Sequence, residues 1–246
     1  MIEAKQLRKT FNKGKVVAVD EVSFLAMDGQ ITGLLGPNGA GKTTTMRMLY
    51  TLLSPDSGSM RIDGIDPAAE PLKVKRALGV VPDSRGLYDR LTARENIRYY
   101  GKLQGLDEAR IEERIEYFAR VLDMGGFIDR KTDGFSQGQR VKVAIARALI
   151  HDPRTVLLDE PSNGLDVMTT RALRGFLNEL KREGRCVVLS THIMQEVAAL
   201  CDRIVIIAKG RVAAQGTAQE LIEQSGQANL EDAFVKLIGS DEGLLA

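Results

Sequence analysis

One stretch constrains the fold more than any other part of the chain: GPNGAGKT, residues 36–43. The apolar run QITGLLG precedes it and the helical pattern GKTTTMRMLYTLL follows it, so the motif G-x-x-x-x-G-K-[ST] lies between a buried strand and a helix. Glycines there let backbone amides turn inward as an anion nest, and the helix N-terminus adds partial positive charge. The stretch predicts an α/β fold with a phosphate-binding loop.

The sequence on both sides of this loop fits the same α/β fold. Short apolar runs (MRIDG, LGVVP, TVLLDE and CVVLST) alternate with helical patterns, which is typical of a mostly parallel α/β sheet. From Met1 to about Met27, alternating runs joined at FNKGK predict antiparallel strands, and RIVIIAKGRVAAQG predicts a closing hairpin.

Residues 92–150 contain no convincing strand. Helical spacing is clear in ARIEERIEYFARVL, which repeats apolar side chains at Ile111, Ile115, Phe118, Ala119 and Leu122. We therefore predict one domain over residues 1–246. Its nucleotide-binding core takes about 1–82 and 153–216, an inserted helical part about 83–152, and a short helical tail about 217–246.

The charge and composition of the chain limit the classes of partner and the cellular location that we expect. Lys plus Arg number 34 against 33 Asp plus Glu, so the formal charge of +1 gives no basic field for a nucleic-acid backbone, and no nucleic-acid partner is expected. Nowhere do about 18 apolar residues run without a charge, and the N-terminus lacks the apolar core of a signal peptide. The two cysteines lack metal-ligand spacing. These features predict a cytoplasmic location.

Four side chains within and beyond the loop carry candidate chemistry. Lys42 can reach terminal phosphates, and the Thr43 hydroxyl can ligate Mg²⁺. The apolar strand TVLLDE ends in Asp159 and Glu160 at the carboxyl edge of the sheet, where open α/β folds bind ligands. Asp159 would hold the magnesium ion through its water shell, and Glu160 would act as general base toward an attacking water. The plain alternative is that Glu160 only begins a solvated loop.

With the stretch FSQGQRVKVAIARAL added, the sequence resembles the ATP-binding subunit of ABC transporters over nearly its whole length. The resemblance implies that the loop binds ATP through Gly36, Pro37, Asn38, Gly39, Ala40, Gly41, Lys42, Thr43 and Thr44. It further implies adenine stacking on Phe11, a Q-loop position at Asp83, a signature motif at 135–139, a D-loop at 163–166 and a switch histidine at His192. Lys42, Glu160 and His192 are then the catalytic candidates.

Two positions depart from the family pattern. The signature reads FSQGQ instead of the usual LSGGQ, although Ser136, Gly138 and Gln139, which would contact phosphate, are retained. Asp83 stands where the family usually has Gln, and its oxygens could still meet a magnesium-bound water, so Thr43, Asp83 and Asp159 are the candidate metal residues.

The residues of the signature motif can also be interpreted without the family resemblance. Ser136 followed by Gln139 is a capping-box pattern, so these residues could do no more than start a helix. A helix beginning Ser-x-Gly is nevertheless an anion site, and one chain with one phosphate loop has no second phosphate to offer it. We therefore expect a homodimer, or a pair with a second ATPase subunit, that shares two ATP sites head to tail.

His192 and Phe11 keep structural alternatives. His192 follows the strand CVVLST at the expected ligand edge, but a lone histidine is often a satisfied structural residue. Phe11 could equally be a packed residue of an edge strand.

Within the family, PDSRGLYDRLTARENI and LDEPSNGLDVMTTRALR are most similar to the ATPase of sodium-exporting two-component systems. This similarity implies that ATP and Mg²⁺ drive a separate integral membrane permease, with the chain held at the inner face of the membrane. A groove around residues 83–88 would receive a permease helix, with contacts at Leu87 or Tyr88. Two alternatives stay open: a soluble ABC-type switch acting on ribosomes or DNA, and a weakly hydrolysing subunit, suggested by Asp83 and Gln137.

Overall fold

The computed structural model describes residues 1–84 and 86–239, so position 85 of the predicted groove and residues 240–246 of the predicted tail lie outside the described residues. The described strands are β1 (Ile2–Phe11), β2 (Val16–Ala26), β3 (Gln30–Leu35), β4 (Ser57–Ile62), β5 (Leu78–Val81), β6 (Thr155–Asp159), β7 (Cys186–Thr191), β8 (Arg203–Ala208) and β9 (Arg211–Gly216). The helices are α1 (Lys42–Leu49), α2 (Pro71–Ala77), α3 (Ala93–Leu103), α4 (Glu108–Val121), α5 (Gln137–Leu149), α6 (Val167–Arg182), α7 (Met194–Leu200), α8 (Ala218–Ser225) and α9 (Leu230–Leu237).

The strands form two sheets. The larger has the order β5-β6-β7-β3-β8-β9 and is parallel except for the hairpin of β8 with β9. The smaller has the order β2-β1-β4 and is antiparallel. The predicted α/β class, the N-terminal antiparallel part and the closing hairpin are confirmed. The placement of MRIDG in the parallel sheet is wrong, because β4 pairs antiparallel with β1.

Burial explains why the central strands read as continuous apolar runs. Every residue of β6 and of β7 is buried, as expected for parallel strands covered on both faces. The helical part is confirmed between β5 and β6, where α4 buries Ile111, Ile115 and Phe118 on one face. That face belongs to one apolar core with the sheet residues Val156 and Val187, so helices and sheet are packed together.

The register of the parallel strands positions the site. Asp159 at the end of β6 lies opposite Ser190 of β7, and Leu35 at the end of β3 lies opposite Thr191. The carboxyl ends of these three strands therefore meet at one edge, where ligands bind in open α/β sheets. The loops that follow them carry the phosphate-binding motif, Glu160 and His192.

Candidate active site

A cavity of about 500 Å³ lies at this edge of the sheet. Ten of the residues that line it are sequence candidates from the loop, the Q-loop position and the two strand ends; the full lining is Ala18, Asn38, Gly39, Ala40, Gly41, Lys42, Thr43, Thr44, Asp83, Glu160, Asn163 and His192. The structure thus brings together side chains that lie up to about 170 positions apart in the sequence.

Two glycines of the loop are required by close backbone approach. A Cβ at Gly36 would lie 2.2 Å from the carbonyl oxygen of Ile207, and one at Gly41 would lie 2.4 Å from that of Ala18. Gly41 also has a φ of 106°, which favours glycine. Ala18, on β2, is a lining residue that sequence reasoning missed, since an alanine in a strand carries no chemical signal.

Lys42 is held across the mouth of the loop. Its side chain is only 5% exposed, and Nζ donates to the carbonyl oxygens of Gly36 at 2.7 Å and Pro37 at 3.2 Å. Nζ also lies 3.5 Å from Oε1 of Glu160. A buried ammonium with these partners is positioned to meet phosphate oxygens, which it could bind in place of the carboxylate.

Asp159 is the most deeply placed carboxylate of the site. Its Oδ1 accepts from Ser190 Oγ at 2.5 Å and from Thr43 Oγ1 at 3.4 Å. Burial raises the pKa of this carboxyl above its usual range, and the nearby charges of Asp83 and Glu160 add to the rise, while the Ser190 bond opposes it. Its ionised form is therefore costly unless a cation lies nearby.

The same carboxylate tests whether a magnesium ion fits. Oδ2 of Asp159 is buried, and no hydrogen-bond partner reaches it from the described residues. The Thr43 hydroxyl is beside Asp159, and Asp83 faces the same cavity. Mg²⁺ prefers oxygen ligands and commonly uses one or two carboxylates together with substrate phosphates and water. The oxygen donors present fit that ion.

Glu160 and His192 form a pair at the cavity wall. Glu160 Oε2 lies 2.9 Å from His192 Nδ1, while Oε1 faces Lys42. The Glu160 backbone has a φ of 48°, an uncommon conformation for a side-chain-bearing residue, and its N–H donates to Oγ of Ser190 at 3.1 Å. Strained backbone held by neighbouring bonds aims this carboxylate into the cavity and away from the solvated loop that was the alternative.

Seven sequence candidates are not in the cavity lining: Gly36, Pro37 and Asp159, which form hydrogen bonds with lining residues, and Phe11, Ser136, Gly138 and Gln139. Phe11 ends β1 and is 37% exposed. Ser136, Gly138 and Gln139 lie at the start of α5. Ser136 Oγ accepts from the Gln139 N–H, and the Gln139 side chain accepts from the Ser136 N–H, so the predicted capping box is present.

The start of α5 packs beside the loop that follows β6. A Cβ at Gly138 would meet Thr169 of α6 at 3.1 Å, and Gly164 of the D-loop lies close to the side chain of Gln137. The signature therefore lies beside Gly164 and Thr169 of its own chain, and outside the cavity that the phosphate loop lines.

Comparisons with known proteins agree with this geometry. A family model described as ABC transporter matches residues 19–163. The ABC transporter ATP-binding protein NatA of Bacillus subtilis (strain 168) is 44% identical over 230 residues, covering 93% of this chain and 94% of that protein. The doxorubicin resistance ATP-binding protein DrrA of Mycobacterium tuberculosis is 37% identical over 235 residues, covering 96% of this chain and 70% of that protein.

A solved structure extends the likeness to three dimensions. The dimer of the ATP-binding cassette MJ0796, in a post-hydrolysis state bound to ADP and Pi, matches with a TM-score of 0.81 and 27% identity, covering 88% of this chain and 98% of that one. Of the helices in the described part of this chain, none has the length and apolar character needed to cross a membrane.

Proposed function

The chain belongs to the ABC transporter family and is an ATPase of that family; from this premise we propose that it powers a separate membrane permease as one half of an ATP-closed dimer. The observation that carries the proposal is the cavity in which Lys42, Glu160 and His192 meet beside the phosphate loop. The contact between Glu160 and His192 would not by itself indicate a hydrolase; its position beside the phosphate loop does.

The arrangement supports hydrolysis by positioned acid–base chemistry. Water attacks the γ-phosphorus, the bond to the bridging oxygen of ADP breaks, and the Glu160 carboxylate takes the water proton. Lys42 neutralises charge on the phosphates, and His192 holds one oxygen of Glu160 at 2.9 Å. A magnesium ion held by Thr43 and Asp159, with Asp83 nearby, would withdraw charge from the phosphate oxygens.

A second copy completes the site in this proposal. The exposed start of α5, with Ser136 at its N-cap, offers backbone N–H groups and the positive end of a helix to an anion. That end lies outside the cavity of its own chain. A phosphate held by another chain is the anion of matching charge, and the solved relative MJ0796 is a dimer.

A patch on the helical part supports permease docking. It consists of Tyr88, Tyr99 and Leu103, which are 47%, 43% and 64% exposed, and the rings of Tyr88 and Tyr99 pack edge to face at 5.5 Å. Exposed aromatic and apolar side chains of this kind are typical of protein interfaces. Leu87, expected above as a contact residue, is 7% exposed and packs in the core. Tyr88 and its two neighbours are therefore the better docking residues.

Export is the direction that the relatives favour. DrrA is named for doxorubicin resistance, and the motif similarity noted above is to sodium-exporting systems. We propose export, with sodium as the first solute to test.

The test is purification of the native membrane complex and transport by vesicles that contain it. The Tyr99→Asp variant should lose the permease in a pull-down while keeping its ATP affinity. Val235→Asp, which places the same charge on the exposed face of the tail helix α9, is the matched control and should retain the permease. Equal recovery of the permease with both variants would contradict the docking patch. Transport of sodium, or of another solute in its place, then identifies the cargo.

A further inference from the structure

A buried carboxyl group lies behind the cavity, outside its lining. Glu196, in α7, is 7% exposed. Its Oε2 accepts hydrogen bonds from two hydroxyl groups that belong to different segments: Ser162 Oγ, from the loop after β6, and Thr191 Oγ1, at 3.2 Å, from the last residue of β7. Both donors are buried as well. A single oxygen atom therefore joins the loop that follows β6 to the carboxyl end of β7.

Each of these donors is a chain neighbour of a residue that lines the cavity. Ser162 precedes Asn163, and Thr191 precedes His192. The Thr191 hydroxyl also accepts a hydrogen bond from the N–H of Ile193 at 3.0 Å. This bond links the residue before His192 to the residue after it. His192 in turn meets the Glu160 carboxylate. The contacts run in sequence from Glu196 through Thr191 to His192 and then to Glu160.

We propose that Glu196 is a positioning residue for ATP hydrolysis, which holds His192 against Glu160 and fixes the D-loop segment to the same point. The inference rests on the roles of Glu160 and His192 under the proposed function. Because the group touches neither the cavity nor a phosphate loop residue, it acts through geometry. Misplacing a catalytic group by a small distance can slow a reaction strongly.

Two substitutions of Glu196 distinguish the effect of its acceptor oxygen from the effect of its negative charge. Both hydroxyls donate to the same oxygen, and the side-chain amide of glutamine retains one carbonyl oxygen at that place. Glu196→Gln should therefore keep kcat close to the wild-type value. Glu196→Ala removes the acceptor of both hydroxyls and should lower kcat by roughly tenfold to a hundredfold, with the Kd for ATP nearly unchanged.

A matched control distinguishes positioning from loss of stability. Asp202 is a part-buried carboxylate just after α7, and it accepts from the N–H of Ile31 at 2.9 Å and from Lys181 at 2.5 Å. It lies by the start of β3, at the opposite edge of the sheet from the cavity. Asp202→Ala should lower Tm as Glu196→Ala does, yet leave kcat unchanged.

The decisive experiment is a double-mutant cycle on kcat, measured with saturating ATP and Mg²⁺. If Glu196 acts through His192, Glu196→Ala should cost much less in a His192→Ala background than alone. An equal loss in both backgrounds, with His192→Ala itself impaired, would overturn the proposal while leaving the role of His192 intact. A His192→Ala variant with wild-type kcat would instead remove the proposed role of His192 and this inference together.

Two further variants apply if Glu196→Ala does not fold. Ser162→Ala and Thr191→Val each delete one donor and keep the carboxyl group. Thr191→Val should lower kcat in a way that His192→Ala suppresses, since it cuts the connection to His192 directly. Wild-type kcat in the folded Thr191→Val variant, or a Glu196→Gln variant as slow as Glu196→Ala, would contradict positioning by this oxygen.

Discussion

The cavity and the start of α5 are both anion sites by composition, but they are built in different ways. In the cavity, bonds join distant segments: Ser190 to Asp159, and His192 to Glu160. At α5, the reciprocal bonds of Ser136 and Gln139 span three residues. The first site depends on the whole sheet, whereas the second depends on one helix end. Under the proposed function, the cavity supplies one half of an active site, and the helix end of another chain supplies the other half.

The largest effect on ATP binding should come from removing the Lys42 ammonium group from the cavity. Lys42→Ala should raise the Kd for ATP by about 10²- to 10⁴-fold, because charge-assisted bonds to phosphate are lost. Isothermal titration calorimetry measures this change. Lys75→Ala, at an exposed position of α2, is the control and should bind ATP as the wild type does. Unchanged affinity in the Lys42 variant would contradict the assignment of the loop.

A smaller effect should come from placing a charge at the start of α5. Ser136→Asp keeps a good N-cap but sets a carboxylate against an incoming phosphate. The fold and the ATP affinity of the single chain should persist, while kcat falls by at least about tenfold. Thr217→Asp makes the same change at the capping box of α8, in the tail, and should leave kcat unaltered. Equal kcat in the two variants would mean that the start of α5 has only a structural role.

The smallest effect concerns stability. Burial and the neighbouring carboxylates raise the pKa of Asp159, so its ionised form destabilises the metal-free fold. Asp159→Asn should increase the free energy of unfolding by about 0.5–2 kcal/mol at neutral pH in the absence of magnesium. The gain should shrink as pH falls, because the wild-type carboxyl then becomes protonated. Thermal unfolding measured across pH reports this gain. In the Asp159→Asn variant, the stabilisation that ATP and Mg²⁺ give the wild type should be lost.

Asp56 provides a control of opposite sign. Hydrogen bonds from Lys9 and Thr10 lower the pKa of this exposed carboxyl to about 2. Asp56→Asn should therefore lower Tm at neutral pH, and its stabilising contribution should disappear only as pH approaches about 2. A loss of stability in the Asp159 variant at neutral pH, similar to that of the Asp56 variant, would contradict the idea that burial of the ionised Asp159 carboxylate destabilises the fold.

The sequence predicted the parts of the molecule whose signals are local. GPNGAGKT at a strand–helix junction, TVLLDE at a strand end and the spacing of Ile111, Ile115 and Phe118 each need only their neighbours to be interpreted. The assignment of MRIDG to the parallel sheet failed because β4 is chosen by its distant partner β1. A short strand with one buried side reads the same way in either sheet.

The missed parts of the site depend on contacts between loops. Glu196 lies in the pattern QEVAAL and reads as an ordinary surface charge until Ser162, from another loop, is placed beside it. The positive φ of Glu160 is likewise accompanied by a hydrogen bond from its N–H to Ser190 of the neighbouring strand. A signal for Ser190 was present, since the polar pair Ser-Thr ends an otherwise apolar strand. Phe11 as an adenine contact stays a prediction.

The comparison between the two half-sites rests on their meeting in a dimer, and one measurement addresses it directly. Glu160→Gln keeps the shape of the proposed base and removes its charge, so hydrolysis should slow by roughly a hundredfold to ten-thousandfold while ATP stays bound. Light scattering should then give twice the 27.0 kDa mass of the chain in ATP and Mg²⁺ and the single mass in ADP, with the added Ser136→Asp change restoring the single mass in both. A Glu160→Gln chain that binds ATP and Mg²⁺ yet has the single mass in both nucleotides would contradict the account.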